Sequence, residues 1–247
     1  MPAPDKTPSR IAGMFDAIAP RYDLLNRVLS AGLDQTWRQR AVRELGLGAR
    51  PRVVDLCTGT ADLAIAAVRV HPDASVVALD FSGAMLRVAR AKVSAGDHGA
   101  RIRLVRADAT RIPLAESVYD AATIGFGIRN VAEPNLALAE LQRVLKPGGR
   151  LAILEFGQPR IPGIRTLYSW YFRYLLPAIG KLVSHHESAY SYLPASVGTF
   201  PPPAEFARTI EIHGFVNVRA VPLTFGIVYL YIGSKGFQKV PEGSRGF

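Results

Sequence analysis

An α/β fold with a mostly parallel sheet is the architecture this sequence predicts, and three observations carry that expectation. Short apolar runs alternate with helical patterns between residues 52 and 155, joined by short connections, as parallel strands require. The runs are nearly continuous rather than alternating, which fits strands covered on both faces. Two of them carry an acid at or near their ends and give way to small-residue or capping loops, an arrangement typical of ligand sites at the carboxyl edge of open sheets.

The elements follow in order. Residues 1–9 are Pro-rich and polar, and a loose N-terminus is expected. Ile11, Met14, Phe15 and Ile18 keep helical spacing, Pro20 interrupts it, and Leu24, Leu25, Val28 and Leu29 resume it. A third helix over 35–45 turns Trp37 and Ala41 toward the core. This helical cap, residues 1–45, reads either as cover for the sheet's open edge or as a closure of Phe15, Tyr22, Asp23 and Asn26 over a ligand.

The stretch RVVDLCTGTAD, residues 52–62, is a strand through Val53, Val54 and Leu56, a small-residue turn, and a helix opened by Asp62. A second strand, Ser75–Asp80, ends in an acid roughly 20 residues on, where a carboxylate takes the ribose hydroxyls of a nucleoside. The first loop holds a single glycine, Gly59, and lacks the G-x-G-x-x-G of a dinucleotide site. A nicotinamide cofactor is therefore disfavoured.

Ser82 is placed to cap a helix over 81–95, with Met85, Leu86, Val88 and Ala89 inward. Residues 101–106 alternate apolar and basic like a strand near a sheet edge. Asp108 and Ala109 follow at its carboxyl end, and Asp108 suits an adenine amino group or a surface turn. A strand over 118–124 leads into Gly125-Phe-Gly-Ile-Arg-Asn130, a loop at the same sheet end with Arg129 and Asn130 as exposed polar side chains. The helix 133–146 stops at Pro147-Gly148-Gly149, which turns the chain into a strand over 150–155.

The aromatic-rich stretch 164–183 has about the length of a membrane span, but Arg165, Arg173, Lys181 and Pro177 disfavour spanning. It reads as a lid over a lipophilic substrate, or as a surface lying on anionic headgroups, or as a buried helix pair. A last helix over 204–213 precedes strands 215–221 and 223–232, an antiparallel closing pair separated by Pro222. The polar tail from 235 is expected to be flexible.

At 247 residues and 49% hydrophobic content, one large domain is expected. The formal charge of +10 suits nucleic acid, an anionic membrane or solubility, but the basic residues are spread out and match no RNA-binding signature. Nucleic acid is not an expected partner. Cys57 is the only cysteine, which excludes an internal disulfide and a multi-cysteine zinc cluster; its place in the loop favours packing beside a ligand. His71, His98, His185, His186 and His213 show no H-x-x-x-H spacing, so no metal is expected. No apolar leader opens the chain, and a cytoplasmic location is expected.

Three stretches carry a resemblance to a known family: Tyr22-Asp-Leu-Leu-Asn26 through Ser30 to Trp37, Gly125-Phe-Gly-Ile-Arg-Asn-Val131, and Arg143-Val-Leu-Lys-Pro-Gly-Gly149 through Glu155. From about Met14 to Gly233 the chain resembles the UbiE/MenG family of ubiquinone/menaquinone biosynthesis C-methyltransferases. The resemblance implies a class I, Rossmann-like fold: a mostly parallel seven-stranded sheet with an antiparallel last strand, the helical cap over 1–45, a helical lid over 160–200 inserted after the fifth strand, and a flexible tail over 235–247, all in one methyltransferase domain. It implies S-adenosyl-L-methionine as cofactor, S-adenosyl-L-homocysteine as product and no metal. Asp55, Thr58, Gly59, Thr60, Asp80, Phe81, Asp108, Ala109 and Gly125 are the candidate cofactor contacts.

A quinol carbon becomes nucleophilic when a ring hydroxyl loses its proton. Arg129, Asn130 and Tyr22 are therefore the candidate catalytic groups, Arg129 as electrostatic support for a phenolate. Phe15, Tyr22, Asn26, Arg129, Tyr190 and Tyr192 are candidate contacts to a lipophilic quinol. Gly125, Gln158-Pro159, the aromatic stretch 168–174 and Thr224-Phe-Gly226 look most like the menaquinone branch, which implies methylation of demethylmenaquinol. A benzoquinol substrate of the ubiquinone pathway, dual specificity, a soluble phenol or amine, and a non-catalytic adenosine-binding module are the alternatives. Peripheral contact with the inner face of the cell membrane and a homodimer are both compatible with this reading. The chain departs from the family at Asp34 and Tyr231, where His is common, and at Ala195, where Glu is usual, so a base at those positions is in doubt.

Overall fold

The computed structural model describes residues 5–159, 161–170 and 187–237; the side chains of 165, 167, 169 and 187–191 are outside that description. Seven strands, β1 (Arg52–Leu56), β2 (Ser75–Asp80), β3 (Ile102–Arg106), β4 (Tyr119–Gly125), β5 (Leu145–Phe156), β6 (Phe215–Leu223) and β7 (Val228–Lys235), form one sheet in the order β3-β2-β1-β4-β5-β7-β6. β7 is antiparallel to both its neighbours, and the remaining pairings are parallel. The expected α/β architecture is the one observed.

Helices α1 (Pro8–Ile18), α2 (Tyr22–Leu29), α3 (Leu33–Glu44), α4 (Asp62–Val70), α5 (Gly83–Ala95), α6 (Pro134–Val144), α7 (Pro162–Trp170), α8 (Glu187–Gly198) and α9 (Pro203–Ile212) cover the sheet. One core joins Trp37, Ala41 and Val42 of α3 and Leu63, Ala64 and Val68 of α4 to Val53, Val76 and Ala121. The other joins Leu138 and Leu141 of α6 and Phe206 and Ile210 of α9 to Val54, Ile124 and Ile153. Burial on both faces is why the strand sequences run continuously apolar. β1 lies between β2 and β4, so the chain order reverses there and a crevice opens at the carboxyl ends of those strands.

Several expectations shift. The N-terminus is ordered sooner than expected, because α1 begins at Pro8, a residue suited to the first helical turn. The cap does not cover a sheet edge: α3 packs along α4 and against β5, and α1 against α5, while the edges are β3 and β6. Pro147-Gly148-Gly149 lies within β5 instead of ahead of it, absorbed where the β4 register shifts between Tyr119 and Ala121. Pro222 lies within β6, an edge strand that tolerates the missing N–H; the chain turns instead at Thr224, Phe225 and Gly226, all with positive φ.

α7 and α8 fall within the stretch 160–200 expected to form a lid, and residues 171–186 lie outside the described ones. Lys235 is part of β7 and its ammonium donates to the Leu145 carbonyl at 2.8 Å, so the expected tail starts later; residues 238–247 are not described. Among the described residues no helix is long and apolar enough to cross a membrane.

Candidate functional site

Loops at the carboxyl edge enclose a cavity of about 270 Å³ at the switch point. Its first wall is the β1–α4 loop with the ends of β2 and β3. Positive φ alternates there at Cys57, Gly59 and Ala61, an arrangement that turns backbone N–H groups toward one side. Two of these residues are not glycine, and such strain persists only where surrounding contacts enforce it. The Gly59 N–H donates to Asp80 Oδ2 at 2.7 Å and the Ser82 N–H to Oδ1 at 2.8 Å. A carboxylate has about four acceptor sites, so each oxygen keeps capacity for a ligand. Burial raises the Asp80 pKa, against the lowering effect of those N–H groups. Gly59, Asp80, Phe81, Asp108, Ala109 and Gly125 all line the cavity.

Asp55, Thr58 and Thr60 do not. Asp55 is fully buried, and its two oxygens accept from the hydroxyls of Thr123 at 2.6 Å and Thr58 at 2.5 Å. Burial pushes its pKa up to about 6, with the two hydroxyls working against the shift. Thr58 is thereby committed, and Thr60 donates its hydroxyl to Asp23 while accepting from Lys92. These three side chains brace the loop from behind. Cys57 does line the cavity, but burial first, then the charges of Asp80 and Asp55, raise its thiol pKa, so it packs as a neutral thiol. Asp108 closes a local turn, its Oδ1 accepting from the N–H and hydroxyl of Thr110, each at 2.8 Å, and the residue also lines the cavity.

The second wall is the loop after β4. Gly127 allows it to close on the first wall, since a Cβ there would stand 2.3 Å from the Cys57 Cβ. Phe126 and Asn130 line the cavity, Asn130 being buried rather than exposed as expected; Arg129 does not line it. The sequence expectation of an exposed Arg129 is corrected: it is buried, its Nη1 donates to Glu155 Oε1 at 2.7 Å and to the Phe126 carbonyl, and its backbone N–H donates to Glu155 Oε2 at 3.3 Å. Its guanidinium carbon lies 5.2 Å from the Phe156 ring centroid, within cation–π range. Asn130 Nδ2 donates to the same Phe126 carbonyl at 3.4 Å, and its Oδ1 is buried with no partner among the described residues.

The roof comes from the N-terminal cap. Lys6, Pro8, Ile11, Phe15 and Tyr22 line the cavity, and α1 is tied down by Asp16, which accepts from the Ser82 hydroxyl and, at 3.2 Å, from the Ala84 N–H. Burial raises the Tyr22 pKa, so its hydroxyl stays a neutral donor. Asn26 stands beside that hydroxyl without a well-formed hydrogen bond; its Nδ2 is buried and unpartnered among the described residues, and it is off the cavity wall. Tyr192 is also off the wall, its buried hydroxyl unpartnered among the described residues and its pKa raised by burial, in the field of Arg129 and Glu155. It arrives on α8, which packs against α1 and the 128–130 turn. The Tyr190 side chain is outside the described residues. Lys6 loses basicity by burial and feels the same pair.

Lys6, Ile11 and Glu155 were not read from the sequence as site residues. Lys6 sits in a polar stretch without pattern, Ile11 reads only as a helical-spacing residue of the cap, and Glu155 as one more strand-end acid. Asp34, buried against Arg38, and Tyr231, in the core, are also away from the cavity, as is Ala195. Among the described residues no group of His, Cys, Asp and Glu is arranged to hold a metal ion. The arrangement offers the Asp80 carboxylate to the hydroxyls of a ribose, beside the apolar side chains of Leu79, Phe81 and Met85.

Comparison with known proteins is consistent with that geometry. The profile of the ubiE/COQ5 methyltransferase family matches residues 4–235. The ubiquinone/menaquinone biosynthesis C-methyltransferase UbiE of Syntrophotalea carbinolica is 50% identical over 222 residues, 90% of this chain and 92% of that protein. The demethylmenaquinone methyltransferase of Thermus thermophilus is 46% identical over 223 residues, 90% of this chain and 100% of that protein. In structure, a SAM-dependent methyltransferase from Aquifex aeolicus superposes with a TM-score of 0.55 at 21% identity, covering 92% of this chain and 97% of the other, and shares the fold.

Proposed function

The chain belongs to the ubiE/COQ5 methyltransferase family and is a methyltransferase of quinone biosynthesis, and on that premise we propose that its cavity seats S-adenosyl-L-methionine for methylation of a ring carbon of demethylmenaquinol. The observation that carries the reading is Asp80, pinned by the Gly59 and Ser82 N–H groups at the switch point with acceptor capacity left toward the cavity. The cofactor fits the residues present. Asp80 suits the ribose hydroxyls, Asp108 the adenine amino group, and Leu79, Phe81 and Met85 an apolar ring.

When bound, the cofactor supplies an electrophilic methyl on a sulfonium. The chain has to orient the quinol and favour its phenolate. Asn130 Oδ1, the unpartnered acceptor on the second wall, takes a hydrogen bond from the ring hydroxyl and holds the carbon in line. Arg129, one residue behind and ion-paired with Glu155, contributes a fixed guanidinium dipole in a water-poor setting where such dipoles act strongly. Tyr22, kept neutral by burial, donates to the second ring oxygen. Positioning supplies ~7–11 kcal/mol against a general-base contribution of about 10²–10⁴-fold, so an enzyme lacking a histidine or glutamate base at 34, 195 and 231 still functions. The lid helices cover the lipophilic part of the substrate, and the same greasy face meets the cytoplasmic side of the membrane.

Transfer of a labelled methyl group from the cofactor to demethylmenaquinol, to a demethylated benzoquinol and to a tail-less soluble phenol tests this. Label in menaquinol, with the soluble phenol far poorer, is expected; equal use of the soluble phenol or no transfer to any quinol overturns it.

A further inference from the structure

We infer that Glu155 is a positioning residue for methyl transfer, acting through Arg129 on the loop that carries Asn130; this rests on the reading of the cavity proposed above. Glu155 stands next to the end of β5 and is wholly buried. A carboxylate taken out of water needs partners that offset its lost hydration. Its Oε1 accepts from Arg129 Nη1 at 2.7 Å and from the Phe156 N–H at 2.8 Å, and its Oε2 accepts from the Arg129 N–H at 3.3 Å. Arg129 is thus held by backbone and side chain at once. That double hold fixes the path of the 128–130 turn together with the direction of the guanidinium.

The hold continues to the cavity. Arg129 Nη1 also meets the Phe126 carbonyl, which in turn accepts from Asn130 Nδ2 at 3.4 Å. The Phe156 ring covers one face of the guanidinium. Glu155, Arg129, the Phe126 carbonyl and Asn130 form one polar chain whose last member reaches the cavity wall.

A purely structural ion pair explains less of this. Replacing a whole buried pair by well-packed apolar residues is often harmless to folding, whereas removing one partner is costly. The loop already closes through the Phe126 N–H to the Leu154 carbonyl at 2.8 Å and the Asn130 N–H to the Gly127 carbonyl at 3.0 Å. What Glu155 adds is direction, leaving Arg129 Nε buried and without a partner among the described residues. An unspent donor of that kind is costly in the resting protein and useful when negative charge develops nearby. Tyr192 on the lid helix and Lys6 in the roof both feel the charges of this pair.

Steady-state kinetics and cofactor calorimetry on E155Q, R129Q and the double variant test the inference. E155Q is expected to lose about tenfold or more in kcat, with the quinol KM and the S-adenosylmethionine Kd each within about threefold of wild type. The double variant should be no more than about twofold slower than R129Q, because two residues acting as one unit do not add. A kcat for E155Q within about twofold of wild type, losses that multiply in the double variant, or a parallel fall in cofactor affinity overturns it. E155D guards against a folding failure of E155Q: it keeps the charge and withdraws the carboxylate by one methylene. A kcat loss of about tenfold at unchanged Tm is expected, and an unchanged kcat contradicts. Wild-type protein that transfers no methyl to any quinol sinks the proposed function itself; normal wild-type turnover beside an indifferent E155Q sinks this inference alone.

Discussion

Asp55 and Asp80 are the same residue at the carboxyl ends of neighbouring parallel strands, yet one is sealed in the core and the other faces the cavity. Register explains the difference. Asp55 pairs with Ala78, so Asp80 sits two residues further along the same side of the pleat, roughly 6–7 Å nearer the edge. At the deeper position the neighbours are the Thr58 and Thr123 hydroxyls, and the carboxylate is fully buried off the cavity wall. At the shallower one the neighbours are loop N–H groups, and acceptor capacity remains. An acid near a strand end becomes a binding group when it clears the last rung of the ladder.

The largest expected effect concerns the deeper residue. With its pKa at about 6 in the fold against 3.8 ordinarily, Asp55 favours the folded state most when protonated. That contribution is fully present below about pH 4 and is lost as pH rises through about 6, by up to roughly 3 kcal/mol at 1.36 kcal/mol per pK unit. Urea unfolding at several pH values should show D55N with a flatter profile than wild type over that window, and identical profiles would break the contrast. A related contrast recurs on the second wall, where Arg129 and Asn130 are both buried but only Asn130 lines the cavity. R129A is expected to lower turnover by about 10²-fold, as for removal of one electrostatic stabiliser, with cofactor affinity within about threefold; a parallel fall in affinity makes Arg129 structural. By calorimetry, D80A should weaken S-adenosylmethionine more than about tenfold and D55N less than about threefold. Equal losses would mean that the two carboxylates share one role. The smallest effect is outside the cavity: if positive charge draws the protein to anionic vesicles, cosedimentation should weaken as salt rises.

Much of the fold was legible because apolar runs and helical spacing are local. β1 to β5 and the helices between them follow from patterns of three to thirteen residues, and Ser82 was readable as a cap, its side chain accepting from the Met85 N–H. Depth was not legible. Nothing in the sequence distinguishes the acid at 55 from the acid at 80, since only the strand register sets which one emerges. Arg129 reads as exposed because arginine usually is, and the partner that buries it lies 26 residues away on another strand. The roof was half legible: Phe15 follows from helical spacing and Tyr22 from reading the cap as a closure over a ligand, whereas Lys6 joins the wall only because α1 folds back over the cavity. Pro222 looked like a break and is an edge-strand residue, a distinction made by what lies beside the strand and not by the proline itself.

The most direct measurement is a crystal structure of the protein with S-adenosyl-L-homocysteine. The ribose hydroxyls should lie within hydrogen-bond distance of the Asp80 carboxylate, with Asp55 still closed between Thr58 and Thr123 and out of contact. A nucleoside bound against Asp55, or lodged away from the loop around Gly59, would contradict the account.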